Sequence, residues 1–135
     1  MRYITGIHAL NLLCSLETCG DWHHSALRLD RPRYRESDNS FFGDYGIETG
    51  VAIPEHDGTF AAANHIRALL DLLEAGNFSV AQGMNKDFIC NDDYNDEVFA
   101  KVASMRSLPN WPDIDSFMGS EYYSKWLKYK RRAGL

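Results

Sequence analysis

The sequence predicts an α+β fold in one compact domain, residues 1–135, with N-terminal antiparallel strands and hairpins followed by about three helices. Three observations carry that prediction. Apolar residues recur at even spacings between glycines in the early part of the chain, which is the period of strands. Apolar stripes at helical spacing dominate the later part. Strands and helices do not alternate along the chain, which argues against a doubly wound parallel sheet, and no repeat or linker divides it.

Residues 25–53 read as extended structure. Leu27 and Leu29 alternate with polar neighbours, and Phe41, Tyr45, Ile47, Val51 and Ile53 follow among Gly43, Gly46 and Gly50, which permit turns or bulges. Pro32 fits an edge strand. After a loop from Pro54 to Gly58, the clearest helix runs from Thr59 or Phe60 to Ala75, with Ile66, Leu69, Leu70 and Leu73 on its core face and Gly76-Asn77 as its stop. A short helix at Ser79–Gln82 and a short strand at Phe88–Cys90 fit the next stretch. The second long helix spans Asp96 to Leu108: Asn95 caps it, Asp96 and Glu97 suit its positive end, and Pro109 ends it. A third begins near Ser116 or Ser120 and carries Tyr122, Tyr123, Trp126, Leu127 and Tyr129.

Composition narrows the function classes. A hydrophobic share of 44% with 24% charged residues is ordinary globular usage and excludes disorder throughout. No run approaches the roughly 20 apolar residues of a transmembrane helix, so no membrane role is expected. His8 and Asn11 interrupt the early apolar stretch, and Leu13 is not the small residue that secretory cleavage needs before Cys14. Cys14, Cys19 and Cys90 are too few for a disulfide scaffold and leave one over in any pairing, so buried thiols in a reducing cytoplasm are the expectation.

Charge is unevenly spread on a chain of net charge −5. Residues 1–110 are strongly acidic, whereas Lys125, Lys128, Lys130, Arg131 and Arg132 lie near the end with no acid after them. Tyr122, Trp126 and Tyr129 recur at helical spacing among these cations, a combination that can stack bases or dock a partner, although core packing with a solvated basic rim leads. Arg31, Arg33 and Arg35 share one face of an extended segment and form a row able to grip phosphates or carboxylates, unless nearby acids neutralise them.

Candidate chemistry concentrates at the N-terminus. Cys14, Cys19 and His23, with Asp21 and His24 beside them and His8 upstream, are the soft sulfur and imidazole ligands that zinc prefers. The spacing is loose and has no paired second half, so zinc stands as an alternative to having no cofactor. The same residues offer a catalytic set, with Cys19 or Cys14 as nucleophile, His23 or His24 as base, and Asp21 nearby. A turn at Gly20 with an Asp21 cap and a Trp22 anchor is the structural alternative and the favoured one. The acidic run Asn91 to Glu97 lacks the glycine and glutamate of a calcium loop. His65 reads as a satisfied boundary residue of the first long helix. No phosphate loop, dinucleotide fingerprint, zinc-protease helix or nucleophile elbow is present in the sequence.

The strings Tyr3 to Leu12, Cys19 to His23 and Gly83 to Asp92 resemble those of a group of small uncharacterised bacterial proteins from loci similar to toxin–antitoxin modules. The resemblance implies a bacterial cytoplasmic accessory or antitoxin-like protein and carries no site residue. The expectation is therefore a non-enzymatic binding or regulatory protein that recognises another protein. A metal- or cysteine-dependent enzyme built on Cys14, Cys19, Asp21, His23 and His24 ranks second. A nucleic-acid binder using the arginine row or the basic C-terminal helix ranks third.

Overall fold

The computed structural model describes residues 1–21, 33–53 and 56–135. Four strands, β1 (Arg2–Ile4), β2 (Tyr34–Glu36), β3 (Ile47–Val51) and β4 (Phe60–Ala63), form a sheet in the order β2-β1-β4-β3. The α+β class stands, with a single compact domain and more helices than expected. The outer pairs are antiparallel, Ile4 facing Tyr34 and Ile47 facing Ala63. The central pair β1 and β4 is parallel, because each strand leads directly into a helix. These helices, α1 (Gly6–Leu10) and α2 (His65–Glu74), pack against one another beside the sheet.

The long helix expected from Thr59 or Phe60 therefore starts later, at His65. Ala61, Ala62 and Ala63 are strong helix formers, but pairing with β1 and β3 takes up the backbone of Phe60–Ala63 as a strand. Asn64 makes the switch: its side-chain oxygen accepts the Arg67 amide at 2.8 Å and caps the helix. Residues 37–46, expected as strand, form a short 3₁₀ turn and a glycine-bearing loop instead. The extended reading of residues 25–32, including Pro32, lies outside the described residues, as do Pro54 and Glu55.

Farther along, α3 (Phe78–Ala81) falls close to the expected short helix. A π-helix at Met84–Ile89 occupies the place of the expected strand at Phe88–Cys90. Then α4 (Asn95–Ala103) continues through a 3₁₀ turn at Ser104–Ser107 in the place of the expected second long helix, with Asn95 as its first residue and Tyr94, not Asn95, in the cap position. The expected third helix is two helices, α5 (Trp111–Tyr122) and α6 (Ser124–Ala133), which share a break at Tyr123 with φ 52° and ψ −127°.

Helix α2 is buried from His65 to Leu73 on every side, not on one stripe alone. Three of those buried residues, His65, Arg67 and Asp71, are ionisable, and burial of the Arg67 and Asp71 charges is tolerable only with partners. Arg67 has five N–H donors, and each finds an acceptor. Nε donates to Asp71 Oδ1 at 2.9 Å, and Nη1 donates to the carbonyls of Gly43 at 2.8 Å and Tyr45 at 2.5 Å. Nη2 donates to the Tyr3 hydroxyl at 2.9 Å and Ser40 Oγ at 2.6 Å. Asp71 Oδ2 accepts from the Tyr3 and Thr5 hydroxyls, both at 2.6 Å. Burial, then the hydrogen bond to Asp71, pushes the Tyr3 hydroxyl up to about 12, so it remains a donor.

The loop must come close to reach Arg67. A Cβ on Gly46, which sits at φ +71°, would lie 2.7 Å from Arg67 Cβ, so no larger residue fits without a shift of backbone. Replacing Arg67 by Met should cost about 3–5 kcal/mol, because it leaves the Asp71 carboxylate buried without its nearest cation. Urea unfolding of R67M, D71N and the double variant measures this. The double variant should be at least about 1 kcal/mol more stable than the two single losses added together.

Candidate functional site

The N-terminal cluster is rearranged relative to its reading as thiols and ligands. Cys19 is disulfide-bonded to Cys90 across a separation of 71 residues, and both are exposed. This corrects the expectation of buried free thiols and removes Cys19, in this state, as a nucleophile or a thiolate ligand. The pairing arises because the loop before Gly20 lies along the π-helix: the Gly20 amide donates to the Phe88 carbonyl at 2.8 Å, and Cys90 turns back at φ 45°. Asp21 is fixed by its amide, which donates to the Leu10 carbonyl at 2.7 Å, and its carboxylate accepts from Asn11 at 3.4 Å. Cys14 keeps a free thiol. Trp22, His23 and His24 lie outside the described residues. Among the described residues no group of three or more His, Cys, Asp or Glu is placed to hold a metal.

The histidines that are described are engaged. His8 Nδ1 accepts the Arg33 amide at 2.9 Å, and burial, with the Arg33 charge, holds its pKa below the ordinary value. His65 is 1% exposed and bonds at both ring nitrogens, to Thr18 and to the Leu12 carbonyl. The sequence marked His65 as a satisfied residue but gave no sign of these partners, which lie 47 and 53 residues away.

The arginine row does not stand free. Arg35 is ion-paired with Asp71 at 3.3 Å and Glu74 at 3.0 Å, so its neutralising acids come from α2 and not from the residues that follow it in sequence. Arg33 is exposed, and Arg31 lies outside the described residues.

The C-terminal aromatics divide differently from a surface stripe. Tyr122 and Trp126 are 2% and 0% exposed, which corrects their reading as stacking or docking residues, and Tyr129 is half-buried. Phe99 of α4 meets the ring of Tyr122 edge-on at 4.9 Å and that of Trp126 at 5.4 Å, while Trp126 stacks on Tyr129 at 5.8 Å. Asp115 finishes the cluster by accepting from Trp126 Nε1 and Lys130 Nζ, both at 2.8 Å. Partial burial raises the Asp115 pKa, and these hydrogen bonds with the Lys130 charge more than offset it, leaving the carboxyl below the ordinary aspartate value.

With its aromatic face turned inward, α6 presents Lys125, Lys128, Arg131 and Arg132 outward. Across from them lie Asp92 and, on α4, Asn95 and Asp96, with the buried Phe99 ring beneath them. The two sides border a groove of about 730 Å³. Four cations face two carboxylates there, and one of the four, Lys125, already holds Asp92 at 2.8 Å. No protein family, curated protein or solved structure matches this chain.

Two measurements test this division of α6. Trp126→Ala should cost about 3–5 kcal/mol as a core truncation, whereas Lys128→Ala should stay within about 0.5 kcal/mol of the parent in the same unfolding assay. The contribution of Asp115 should also depend on pH in one direction. Its folded pKa is depressed, so the stability gap between the parent and Asp115→Asn should be full above about pH 5 and shrink as pH falls below about 4.

Proposed function

We propose that this protein is a non-enzymatic binding protein that recognises another protein through the α4–α6 groove, taking an acidic segment. The carrying observation is a groove bordered by four cations on a chain whose net charge is −5. Opposite charge raises encounter rates and selects against basic partners. The recognition needs no cofactor. A bacterial, cytoplasmic, antitoxin-like role is the form of the proposal that the resemblance supports, since holding another protein calls for a groove more than for a reaction centre.

Protein recognition is favoured here over nucleic-acid binding for three reasons. The aromatic rings that would stack bases are committed to the core. Arg35 is neutralised by Asp71 and Glu74. Asp92 and Asp96 would also meet phosphates entering the groove.

A photo-crosslinking residue placed at Lys128 in producing cells tests the proposal, with the same residue at the exposed Arg106 as control. The expected product is one protein joined at position 128 and not at 106. Its linked peptide should be rich in Asp and Glu, and its yield should fall in high salt. A product containing RNA, or equal yields at the two positions, would overturn it.

A further inference from the structure

We propose that Cys14 is a thiol centre for exchange with disulfides, in which Thr18 passes the thiol proton to His65. The inference stands apart from the groove and rests on a chain of polar atoms anchored at the start of α2. Cys14 Sγ lies 3.6 Å from Thr18 Oγ1, and Thr18 Oγ1 lies 2.5 Å from His65 Nδ1. His65 Nε2 is 2.6 Å from the carbonyl oxygen of Leu12, which can only accept, so Nε2 carries a proton in either charge state of the ring. In the neutral ring Nδ1 is then the free base, and it points at Thr18.

The positions are fixed by packing. His65 and Thr18 are buried, at 1% and 6% exposure, while Cys14 is half-exposed. A Cβ on Gly20 would lie 2.7 Å from His65 Cε1, so glycine there lets the backbone close on the ring. The intervening loop turns at Glu17, whose φ is 57° and whose amide donates to the Cys14 carbonyl at 3.1 Å. Backbone in this region is costly for a residue with a side chain, and here it brings Thr18 back against Cys14.

The charges around the pair act in concert. Partial burial pushes the Cys14 thiol up, but the nearby His65 imidazole and the hydrogen bond with Thr18 outweigh it and bring it down to about 7. Burial pulls His65 down, and the nearby Cys14, the bond to the Leu12 carbonyl and the charge of Glu48 carry it above its ordinary value. Glu48 reaches the same loop through the Ser15 amide at 2.7 Å. Glu17 is the other carboxylate of the loop and is exposed.

The reaction balances without an added oxidant. As the Cys14 proton moves to Thr18 Oγ1, the Thr18 hydroxyl proton moves to His65 Nδ1, leaving thiolate, hydroxyl and imidazolium. The thiolate then attacks one sulfur of a disulfide, forming a new S–S bond to Cys14 and expelling the other sulfur as a thiolate, which takes up the released proton. A disulfide is the favoured substrate class because an exposed one, Cys19–Cys90, ends the loop that carries Cys14 and Thr18. The same chemistry serves a disulfide from outside or the chain's own.

The test uses the full chain, purified without reductant, and follows its reaction with dithiobis-nitrobenzoate and with oxidised glutathione from pH 5 to 9. The expected result is one thiol modified, at Cys14, with a rate midpoint near pH 7 and no reaction in Cys14→Ser. Thr18→Val and His65→Gln should raise the midpoint toward the ordinary cysteine value of about 8.5. They should react about threefold slower at pH 7 yet faster than the parent at pH 9, because a less acidic thiol gives a stronger nucleophile. Loss of packing alone produces no such crossing. Thr18→Ser, which keeps the hydroxyl, should keep the parent's profile.

Disulfide mapping after cleavage at Glu17 separates the two sources. Mixed disulfides at Cys14 with Cys19–Cys90 intact mark an outside substrate, and a Cys14–Cys19 link with Cys90 released marks internal exchange. A parent midpoint near 8.5, a midpoint unmoved by Thr18→Val, or no exchange of either kind overturns the proposal. If Thr18→Val does not fold, the parent's midpoint, the Thr18→Ser profile and the map still decide.

Discussion

Arg67 is the constraint around which the molecule is arranged. A guanidinium inside a protein cannot shed its proton, so every donor must find an acceptor or the fold loses several kcal/mol. Five acceptors from β1, α2 and the loop of residues 40–45 meet that demand. The loop is drawn across α2, Gly46 is required where the backbone touches Arg67, and β1 is fixed to the helix through Tyr3. Arg35 adds β2 to the same carboxylate. A helix buried on all sides can therefore carry a charged pair, because the pair links it to three other parts of the chain.

The second half of the molecule solves a different problem with the same economy of faces. Residues 124–133 are too polar to form a core helix alone, yet Trp126 and Tyr129 bury against Phe99, and Asp115 satisfies the indole nitrogen that this burial would otherwise strand. The cations are left outward as a consequence. Lys130 is the exception: it turns back to Asp115 and belongs to the core's polar edge, while Lys125, Lys128, Arg131 and Arg132 border the groove.

What could be read from the sequence followed the strength of local signals. Helix α4 was legible from its Asn, Asp and Glu start and its closing Pro109, and the body and end of α2 from its leucines and Gly76. The start of α2 was not, because Phe60–Ala63 is a strand only through pairing with residues far away in sequence. Tyr123 interrupts the C-terminal helix without a glycine or proline to announce it. At the candidate sites the residue types were visible and their partners were not. Cys19 meets Cys90, and Thr18 meets His65, across separations that no spacing motif records. For Tyr122 and Trp126 the leading reading, core packing with a solvated basic rim, is the one the structure shows, and the docking alternative arose because helical spacing beside cations describes either arrangement.

The loop of residues 14–20 is where these two kinds of constraint join. It is held to α2 by the Thr18–His65 bond and to the end of α1 by the Asp21 amide, which donates to the Leu10 carbonyl. Gly20 and Phe88 hold it to the π-helix by a backbone bond, and Cys19–Cys90 adds a covalent link between the same segments. In the chain-entropy account a link closing about 70 residues stabilises by roughly 4 kcal/mol. In a reducing compartment that contribution would be lost while the hydrogen bonds remained, so the redox state of the pair changes how tightly the loop is held and not which segments meet. A loop that keeps its place in both states can present Cys14 to a disulfide in either, because the atoms that position the thiol, Thr18 Oγ1 and His65 Nδ1, are anchored in the core and not by the cross-link.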